Sequence, residues 1–190
     1  LKDDEISLLD LDAIFCCLPD DVLTNDLEFY SGDSLMISMS GMSSLNSFAT
    51  QAAKKAIIYP LQSFTKFREA NWKEIPLLIE SSPDISSYVR SVASMLSDNI
   101  IEVNEEQRKH YHLVAVWVNN FVNANLVLAN KICEENKLDF KLLHPLLNET
   151  LNKALLLGPE RAQTGPALRN DINTMQEHLN LMTNERQKEL

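Results

Sequence analysis

Glycine is scarce in this chain, with four among 190 residues. They are Gly32, Gly41, Gly158 and Gly165, and no two of them are separated by a single residue. The dinucleotide-binding fingerprint G-x-G-x-x-G needs glycines at that separation, and a P-loop needs a glycine followed by lysine and Ser or Thr. Neither phosphate-binding turn can therefore be written from this sequence.

The chain is also poor in cysteine and in close pairs of metal ligands. Cys16, Cys17 and Cys133 are its three cysteines. The adjacent Cys16 and Cys17 lie in an apolar run, which is typical of core residues and not of a disulfide framework. Zinc sites combine Cys and His at short spacing, but the close pair His110 and His112 has no cysteine near it. We expect no metal site and a reducing, cytoplasmic location.

Positive charge and long apolar runs are lacking as well. Seventeen Lys and Arg against 27 Asp and Glu give a formal net charge of −10. This charge argues against a nucleic-acid partner, because a phosphate backbone binds to a basic face. No uninterrupted apolar run approaches the ~20 residues of a membrane span, and the first residues do not resemble a secretory signal. We therefore expect neither a nucleic-acid partner nor a membrane partner.

Up to about residue 103 the pattern predicts an α/β fold. Short apolar runs bounded by Asp, Gly, Ser and Pro are typical of strands, and apolarity on both faces favours a mostly parallel sheet covered on both sides. The predicted strands are residues 12–18, 34–38, 56–59, 75–79 and 99–103. Helices are predicted at residues 45–55 and 83–96. Pro76 inside its run indicates an edge strand, because proline cannot donate to a ladder.

After about residue 104 the pattern becomes entirely helical. Residues 105–135 contain no proline or glycine, and their length is well above the ~11–12 residues of an average helix. Further helices are predicted at 139–157 and 166–181, and residues 182–190 either continue as a helix or fray. A helix as long as 105–135 needs apolar cover on more than one side. We therefore expect a homodimer through the helices after residue 104.

The polar turn at residues 158–171 is the most informative stretch of the sequence. It contains two Gly-Pro steps, each of which can end one helix and start another. Between and after them lie more hydrogen-bond donors and acceptors than a connection between helices needs. Thr164 and Arg169 are candidates for binding a substrate carboxylate or phosphate, because guanidinium offers a bidentate fork. Alternatively, Arg169 pairs with Asp171 or Glu160, and the segment only shapes a turn.

Four segments together resemble one family of proteins. Residues 16–22 (Cys-Cys-Leu-Pro-Asp-Asp-Val) resemble its fourth Rossmann strand and the loop after it, and residues 59–64 (Tyr-Pro-Leu-Gln-Ser-Phe) resemble its His-Pro-Leu-Gln-Thr-Phe segment. Residues 112–120 and 163–171 (Gln-Thr-Gly-Pro-Ala-Leu-Arg-Asn-Asp) resemble its helical domain. The family comprises NADP oxidoreductases with a Rossmann-like N-terminal domain and a C-terminal helical domain of unknown function. Its distant relatives include pyrroline-5-carboxylate reductase, ketopantoate reductase and 6-phosphogluconate dehydrogenase.

The resemblance implies two domains and an activity. Residues 1–103 would be a Rossmann-like nucleotide-binding domain without its N-terminal part, and residues 104–190 an all-α domain for dimerisation and substrate. The activity would be NADP-dependent hydride transfer to a small carbonyl or imine compound. Two departures stand against this: the family's first strand, glycine-rich turn and helix are not in the sequence, and Tyr59 replaces the family's histidine. The alternative is a non-enzymatic dimeric scaffold or partner-binding protein.

The resemblance also suggests a cofactor side and a catalytic helix. Ligands in open α/β sheets lie beyond the carboxyl ends of strands, so the candidate cofactor-binding residues follow the first two strands: Leu18, Pro19, Asp20, Ser40 and Gly41. Asp20 could equally cap the next helix, and Gly41 could merely make a turn.

On the long helix, His112, Asn119 and Asn123 are spaced i, i+7 and i+11, with Asn120 beside them. Related dehydrogenases place a polar catalytic stripe on the corresponding helix. His112 and Asn120 are therefore the candidate catalytic residues, since a histidine titrating near neutral pH suits proton donation. Asn119 and Asn123, with Thr164 and Arg169, are candidates for binding substrate. Alternatively, His112 is a hydrogen-bonded core residue and the asparagines pair across helices.

One prediction concerns the cofactor. The 190-residue chain should bind NADPH far more weakly than a version extended at its N-terminus by the family's glycine-rich turn, because pyrophosphate usually binds to helix N-terminal amides. Fluorescence titration of both proteins with NADPH measures the difference. Equal affinities would contradict this interpretation of the glycine pattern.

Overall fold

The computed structural model describes residues 11–25, 33–47 and 52–182. The chain divides after Phe121 into a first unit and a second unit. This division falls later than the change of pattern near residue 104, because the helix that begins at Glu105 packs with the first unit through Arg108. The sequence pattern shows where strands are replaced by helices, near residue 104. The division after Phe121 shows where contacts between the two parts of the chain become few.

A five-stranded sheet forms the centre of the first unit. Its strands are β1 (Ala13–Cys16), β2 (Leu35–Ser38), β3 (Lys54–Pro60), β4 (Leu77–Ser81) and β5 (Ile100–Glu102), and they are neighbours in that order. All pairings are parallel except β3 with β4, which is antiparallel. The described residues after Glu102 contain helices and no strand. The predicted fold class, a mostly parallel sheet followed by helices, is confirmed.

Helices surround the sheet in the first unit and make up the second unit. The first unit contains α1 (Asp20–Asn25), a 3₁₀ turn (Trp72–Glu74), α2 (Ser86–Leu96), α3 (Glu105–Ala115) and a π-helix (Val116–Phe121). The second unit contains α4 (Val122–Glu135), a 3₁₀ turn (Phe140–Leu143), α5 (His144–Leu157), α6 (Pro159–Ala162) and α7 (Ile172–Leu181). The predicted helix at 166–181 therefore begins later, where Asp171 caps α7 by accepting from the Thr174 amide.

The core lies on both faces of the sheet. On one face, strand residues such as Ile37, Ile58 and Leu77 pack against Val89 and Val92 of α2. On the opposite face, a smaller cluster joins side chains from β1, β2 and the segments beside them: Cys16, Leu23, Met36 and Ala52. Strands buried on both faces need apolar residues at successive positions, which explains the apolar runs of β2, β3 and β4. The edge strands β1 and β5 are less buried.

Two details of the sheet correct the expectations. The predicted helix at 45–55 is wrong where it is described, because Ser47 lies in a turn while Lys54 and Lys55 pair with β2; residues 48–51 lie outside the described parts. Strand β4 is not an edge, since it lies between β3 and β5. Pro76 precedes the first residue of β4, so the amide of Leu77 still donates to Asn99 O at 2.8 Å.

Helical structure is continuous over Glu105–Glu135, as predicted. It begins with a capping box, in which the Asn104 side chain accepts from the Gln107 amide and Gln107 accepts from the Asn104 amide. By length and composition alone this helix could also cross a membrane, as some core helices of soluble proteins could. Many of its apolar side chains, including Val118 and Phe121, are exposed in this single chain. The homodimer and the lack of a membrane partner stay predictions.

A buried serine provides a test of the packing between β4 and α2. The Ser97 hydroxyl is fully buried, donates to Ile75 O at 2.6 Å and accepts from the Asn99 amide at 3.0 Å. Ser97→Ala should lower the free energy of unfolding by about 1–2 kcal/mol, because it leaves a buried carbonyl without its donor. The exposed Ser94 is the control, and Ser94→Ala should change stability by less than ~0.5 kcal/mol. Urea unfolding followed by circular dichroism measures both, and equal effects would contradict the assignment.

Candidate active site

The carboxyl ends of β1, β2 and β3 lie at one edge of the sheet, because these three strands are parallel. The segments that follow them contain Leu18 to Asp20, Ser40 to Gly41, and Leu61 to Ser63. Ligands of open α/β sheets bind at this edge. The predicted cofactor-binding residues therefore follow strands at the edge of the sheet where ligands of such folds bind.

The loop after β2 is held by its own serine hydroxyls. Ser38 Oγ lies 2.9 Å from Ser43 Oγ and accepts from the Ser40 amide at 3.2 Å. Ser40 Oγ accepts from the amides of Met42 and Ser43, both at 2.9 Å. Three amides of the loop are thus already bonded within it. The loop serves as a preformed wall and does not offer these amides to an anion.

Arg108 joins this loop to helix α3 and to β4. Its guanidinium is fully buried and donates to Glu80 Oε2 at 2.9 Å, to Gly41 O at 2.7 Å and to Ser43 O at 2.6 Å. A buried charge is tolerated when it is paired and its donors are satisfied, and both conditions hold here. Arg108 therefore sets the distance between the β2 loop and α3.

One helical turn after Arg108, His112 packs against Gly41 and Tyr59. Tyr59 Oη lies 3.1 Å from His112 Nδ1, and the two rings are 5.7 Å apart. A Cβ placed on Gly41 would lie 2.5 Å from His112 Nδ1 and 3.0 Å from Tyr59 Cζ. Gly41 is not among the positive-φ glycines, so glycine is needed here for close approach and not for its backbone conformation.

Burial changes the acidity of two side chains in this region. It raises the pKa of the Tyr59 phenol above its usual value of 10.0, so the phenol stays protonated across the neutral range. Burial, with the neighbouring Cys17 thiol, raises the pKa of Cys16 to about 11. Cys16 is therefore a neutral core residue, and the phenol of Tyr59 keeps a proton that it can donate to His112.

A cleft of about 600 Å³ lies beside the Tyr59–His112 pair. It is bounded by the segment after β3 and by one face of α3 and the π-helix. Asn119 and Asn120 line it as well, and Asn119 Nδ2 donates to Asn120 Oδ1 at 3.0 Å. Both asparagines lie in the π-helix, a local widening that is frequent at functional sites. His112, Asn119 and Asn120 are thus brought to one cleft.

The structure does not bring all predicted site residues into that cleft. Leu18, Pro19 and Asp20 are exposed beyond β1, where Pro19 O accepts from the amides of Val22 and Leu23 and so starts α1. Their role toward a cofactor stays a prediction.

Asn123, Thr164 and Arg169 belong to the second unit and are exposed within it. Among the described residues, no ion pair links Arg169 to Asp171. Hydrogen bonds from Thr174 occupy the Asp171 carboxylate and lower its pKa. The alternative in which Arg169 pairs with Asp171 or Glu160 is not observed among the described residues. Substrate binding by these residues stays a prediction.

Two residues of the site were missed or undervalued by sequence reasoning. Arg108 was not singled out, although it stands four residues before His112 and is therefore its neighbour on a helix. Tyr59 was noted as the replacement of the family's histidine and was not assigned to the site, yet its hydroxyl forms a hydrogen bond with His112. The sequence signal was the position of Tyr59 at the end of a parallel strand, where side chains face the ligand edge.

A first prediction for the site concerns Arg108. Arg108→Ala should lower the free energy of unfolding by about 3–5 kcal/mol, because it breaks a buried ion pair and leaves two carbonyls without donors. Arg90 also pairs with a glutamate, Glu102, but both partners are about half exposed. Arg90→Ala should therefore cost less than ~1 kcal/mol. Denaturant unfolding compares the two variants. If Arg108→Ala lowers the free energy of unfolding by less than ~1 kcal/mol, Arg108 does not hold the β2 loop to α3 as we describe.

A second prediction concerns the contact of Gly41 with His112. Gly41→Ala should destabilise the protein by about 1–3 kcal/mol through overpacking. Removing the imidazole removes the atoms that the new methyl group meets. The double variant Gly41→Ala/His112→Ala should therefore lose less unfolding free energy than the two single variants lose together. Unfolding free energies of the four proteins form the cycle, and additive effects would show that the methyl group does not press on His112.

Comparisons with known proteins agree with this description. Residues 75–190 match the domain of unknown function DUF2520. The crystal structure of BF3122 from Bacteroides fragilis, described as a putative NADP oxidoreductase, is 30% identical; the match covers 96% of this chain and 73% of that chain, with a TM-score of 0.86. Protein TM1727 from Thermotoga maritima is 23% identical, with 96% and 77% covered and a TM-score of 0.78.

A more distant structure and the curated proteins complete the comparison. A protein from Mycobacterium avium 104, described as a putative oxidoreductase, is 14% identical, with 78% of this chain and 56% of that chain covered and a TM-score of 0.53. No curated protein matches the chain. The resemblance that the sequence motifs indicated is confirmed, and the chain belongs to the DUF2520 family of NADP oxidoreductase-like proteins.

Proposed function

We propose that this chain carries the catalytic cleft of an NADP-dependent oxidoreductase that reduces a small carbonyl or imine compound. The observation that carries the proposal is the Tyr59–His112 pair, which lies against Gly41 at the ligand edge of the sheet and beside a cleft. A relative described as a putative NADP oxidoreductase supports the general class of activity. The reaction and its residues are our inference from the geometry.

The residues present fit one side of a bound NADP. The segments holding Leu18, Pro19 and Asp20, and Ser40 and Gly41, follow parallel strands at the edge where a nicotinamide would lie. The sequence contains no glycine turn for the pyrophosphate, so the fit is limited to the nicotinamide side. When bound, reduced NADP would supply the hydride. The steps below concern this chain's own side chains.

His112 is the proton donor in this proposal. When its imidazole is neutral, the Tyr59 phenol donates to Nδ1 and the ring proton resides on Nε2; when the imidazole is protonated, Nδ1–H donates to the phenol oxygen. In both states the pair keeps the ring in one orientation. A carbonyl carbon that receives a hydride moves its π electron pair onto oxygen, and the His112 imidazolium gives that oxygen its proton. The products are an alcohol and a neutral imidazole.

The asparagines would orient the substrate. Asn119 Nδ2 donates one proton to Asn120 Oδ1, which leaves the second proton of that amide and the Asn120 amide group for a carbonyl or hydroxyl in the cleft. Asn120 therefore stands as a catalytic candidate beside His112. Asn123, Thr164 and Arg169 lie in the second unit, and their part in substrate binding stays a proposal.

One observation favours the alternative of a dimeric scaffold. Helix α5 exposes several large apolar side chains, with Leu155 and Leu156 more than four-fifths accessible. Exposed apolar patches of this kind mark interaction surfaces. Such a surface is compatible with an enzyme as well, so activity decides between the two functions.

Substitution of His112 tests the enzymatic proposal. In an assay of NADPH oxidation with small ketones and cyclic imines, His112→Ala should reduce turnover by about 10²–10⁴-fold, the usual contribution of a general acid. His110 lies on the same helix and is exposed, with its Nδ1 2.8 Å from Glu106 O. His110→Ala is therefore the control and should leave turnover unchanged. Thermal melts accompany both variants. A large melting loss for His112→Ala without a specific loss of turnover would assign this residue to architecture.

A further inference from the structure

The cleft beside Tyr59 and His112 is almost entirely without charge. Its apolar wall consists of Leu61, Val114, Ala115, Val116 and Val118. Apart from His112, the described residues that line it carry hydroxyl, amide or hydrocarbon side chains, and none of them is Asp, Glu, Lys or Arg. We infer that this cleft takes an uncharged ketone or imine with an apolar body, whose oxygen or nitrogen meets His112. The inference rests on the proposed function and names its substrate class.

The nearest cations on helix α3 are already engaged. Arg108 donates to Glu80 and to two backbone carbonyls. Lys109 pairs with Glu105, which also accepts from the Ser44 hydroxyl. A carboxylate on the reacting carbon would need a guanidinium, an ammonium or several amides. Arg108 cannot turn to it without breaking the bonds that hold the β2 loop, and Lys109 would have to leave its pair with Glu105.

Backbone amides do not replace the missing cation. In the segment after β3 that lines the cleft, the amides of Leu61, Gln62 and Ser63 already donate to Pro76 O, Pro60 O and Gln62 Oε1. An anion in this cleft would therefore lose its hydration without equivalent partners, which is costly in an apolar surrounding. A neutral carbonyl needs one or two donors, and His112 with the asparagine amides can supply them.

The size of the cleft suits a small molecule. Its volume of about 600 Å³ lies within the ~300–1,000 Å³ usual for small-ligand sites, which are mostly apolar with a few placed polar groups. Here the polar lining groups are His112, Asn119 and Asn120 on the helix, and Tyr59, Gln62, Ser63 and Tyr111. None of them carries a fixed charge, so the lining favours a ligand with one polar atom for His112 and a hydrocarbon or aromatic remainder.

Acetophenone and benzoylformate form a matched pair of probes. They share the phenyl ring and the ketone and differ in the group on the carbonyl carbon, which is methyl in one and carboxylate in the other. Each is titrated into the 190-residue chain without cofactor, and the imidazole signals of His112 are followed by nuclear magnetic resonance, assigned with His112→Ala. Acetophenone should shift these signals at a concentration at least about tenfold lower than benzoylformate, because unpaired burial of a carboxylate is costly.

A charge placed in the wall should reduce or remove this preference. Val118 lines the cleft and is about two-thirds exposed, so Val118→Arg can be accommodated there. We expect this variant to bind benzoylformate about tenfold more tightly than the unmodified chain, through a bidentate contact. Leu113 is exposed on the same helix but does not line the cleft. Leu113→Arg should leave both affinities unchanged.

Two results would overturn the inference. One is benzoylformate binding to the unmodified chain as tightly as acetophenone; the other is no shift of the His112 signals with either probe. Both are read without cofactor or turnover, so they are separate from the catalytic proposal. If acetophenone binds as expected while His112→Ala leaves turnover unchanged, the substrate class stands and the acid role of His112 fails.

Discussion

The buried guanidinium of Arg108 is the interaction on which the rest of the site depends. It neutralises Glu80 at the end of β4 and satisfies the carbonyls of Gly41 and Ser43 in the β2 loop. Because the charge is fully buried, the helix cannot move from the sheet without exposing unpaired donors and acceptors. The contact of His112 with Gly41 and its hydrogen bond with Tyr59 follow from this fixed spacing.

Because many polar groups near the cleft are already bonded within the protein, few of them can take part in its chemistry. Arginine, lysine and three loop amides are used to build the wall, so they are not offered to a ligand. What faces the cleft is one titratable imidazole, backed by a phenol whose pKa is raised by burial, and a small group of amides. One imidazole held in place by its neighbours is consistent with the general acid role that we propose for His112.

Sequence patterns predicted the strands better than the helix ends and the site contacts. The short apolar runs marked all five strands, and for the central strands the reason is that a strand covered on both faces cannot alternate with polar residues. Lys54 and Lys55 were placed at the end of a predicted helix, whereas pairing with Leu35 and Met36 of β2 makes them part of a strand. The motif of residues 163–171 identified the family, which the comparisons confirm.

By itself the sequence determined the fold class, the position of His112 on a long helix and the lack of a glycine turn. These are properties of local pattern and composition, which need no knowledge of distant neighbours. Only the tertiary structure decided that Arg108, Gly41 and Tyr59 meet around His112, and that Asn119 and Asn120 share its cleft. Arg108 reaches carbonyls that lie 65 and 67 residues earlier in the chain, and such contacts arise from the folding of the sheet against the helix and leave no local periodicity to detect.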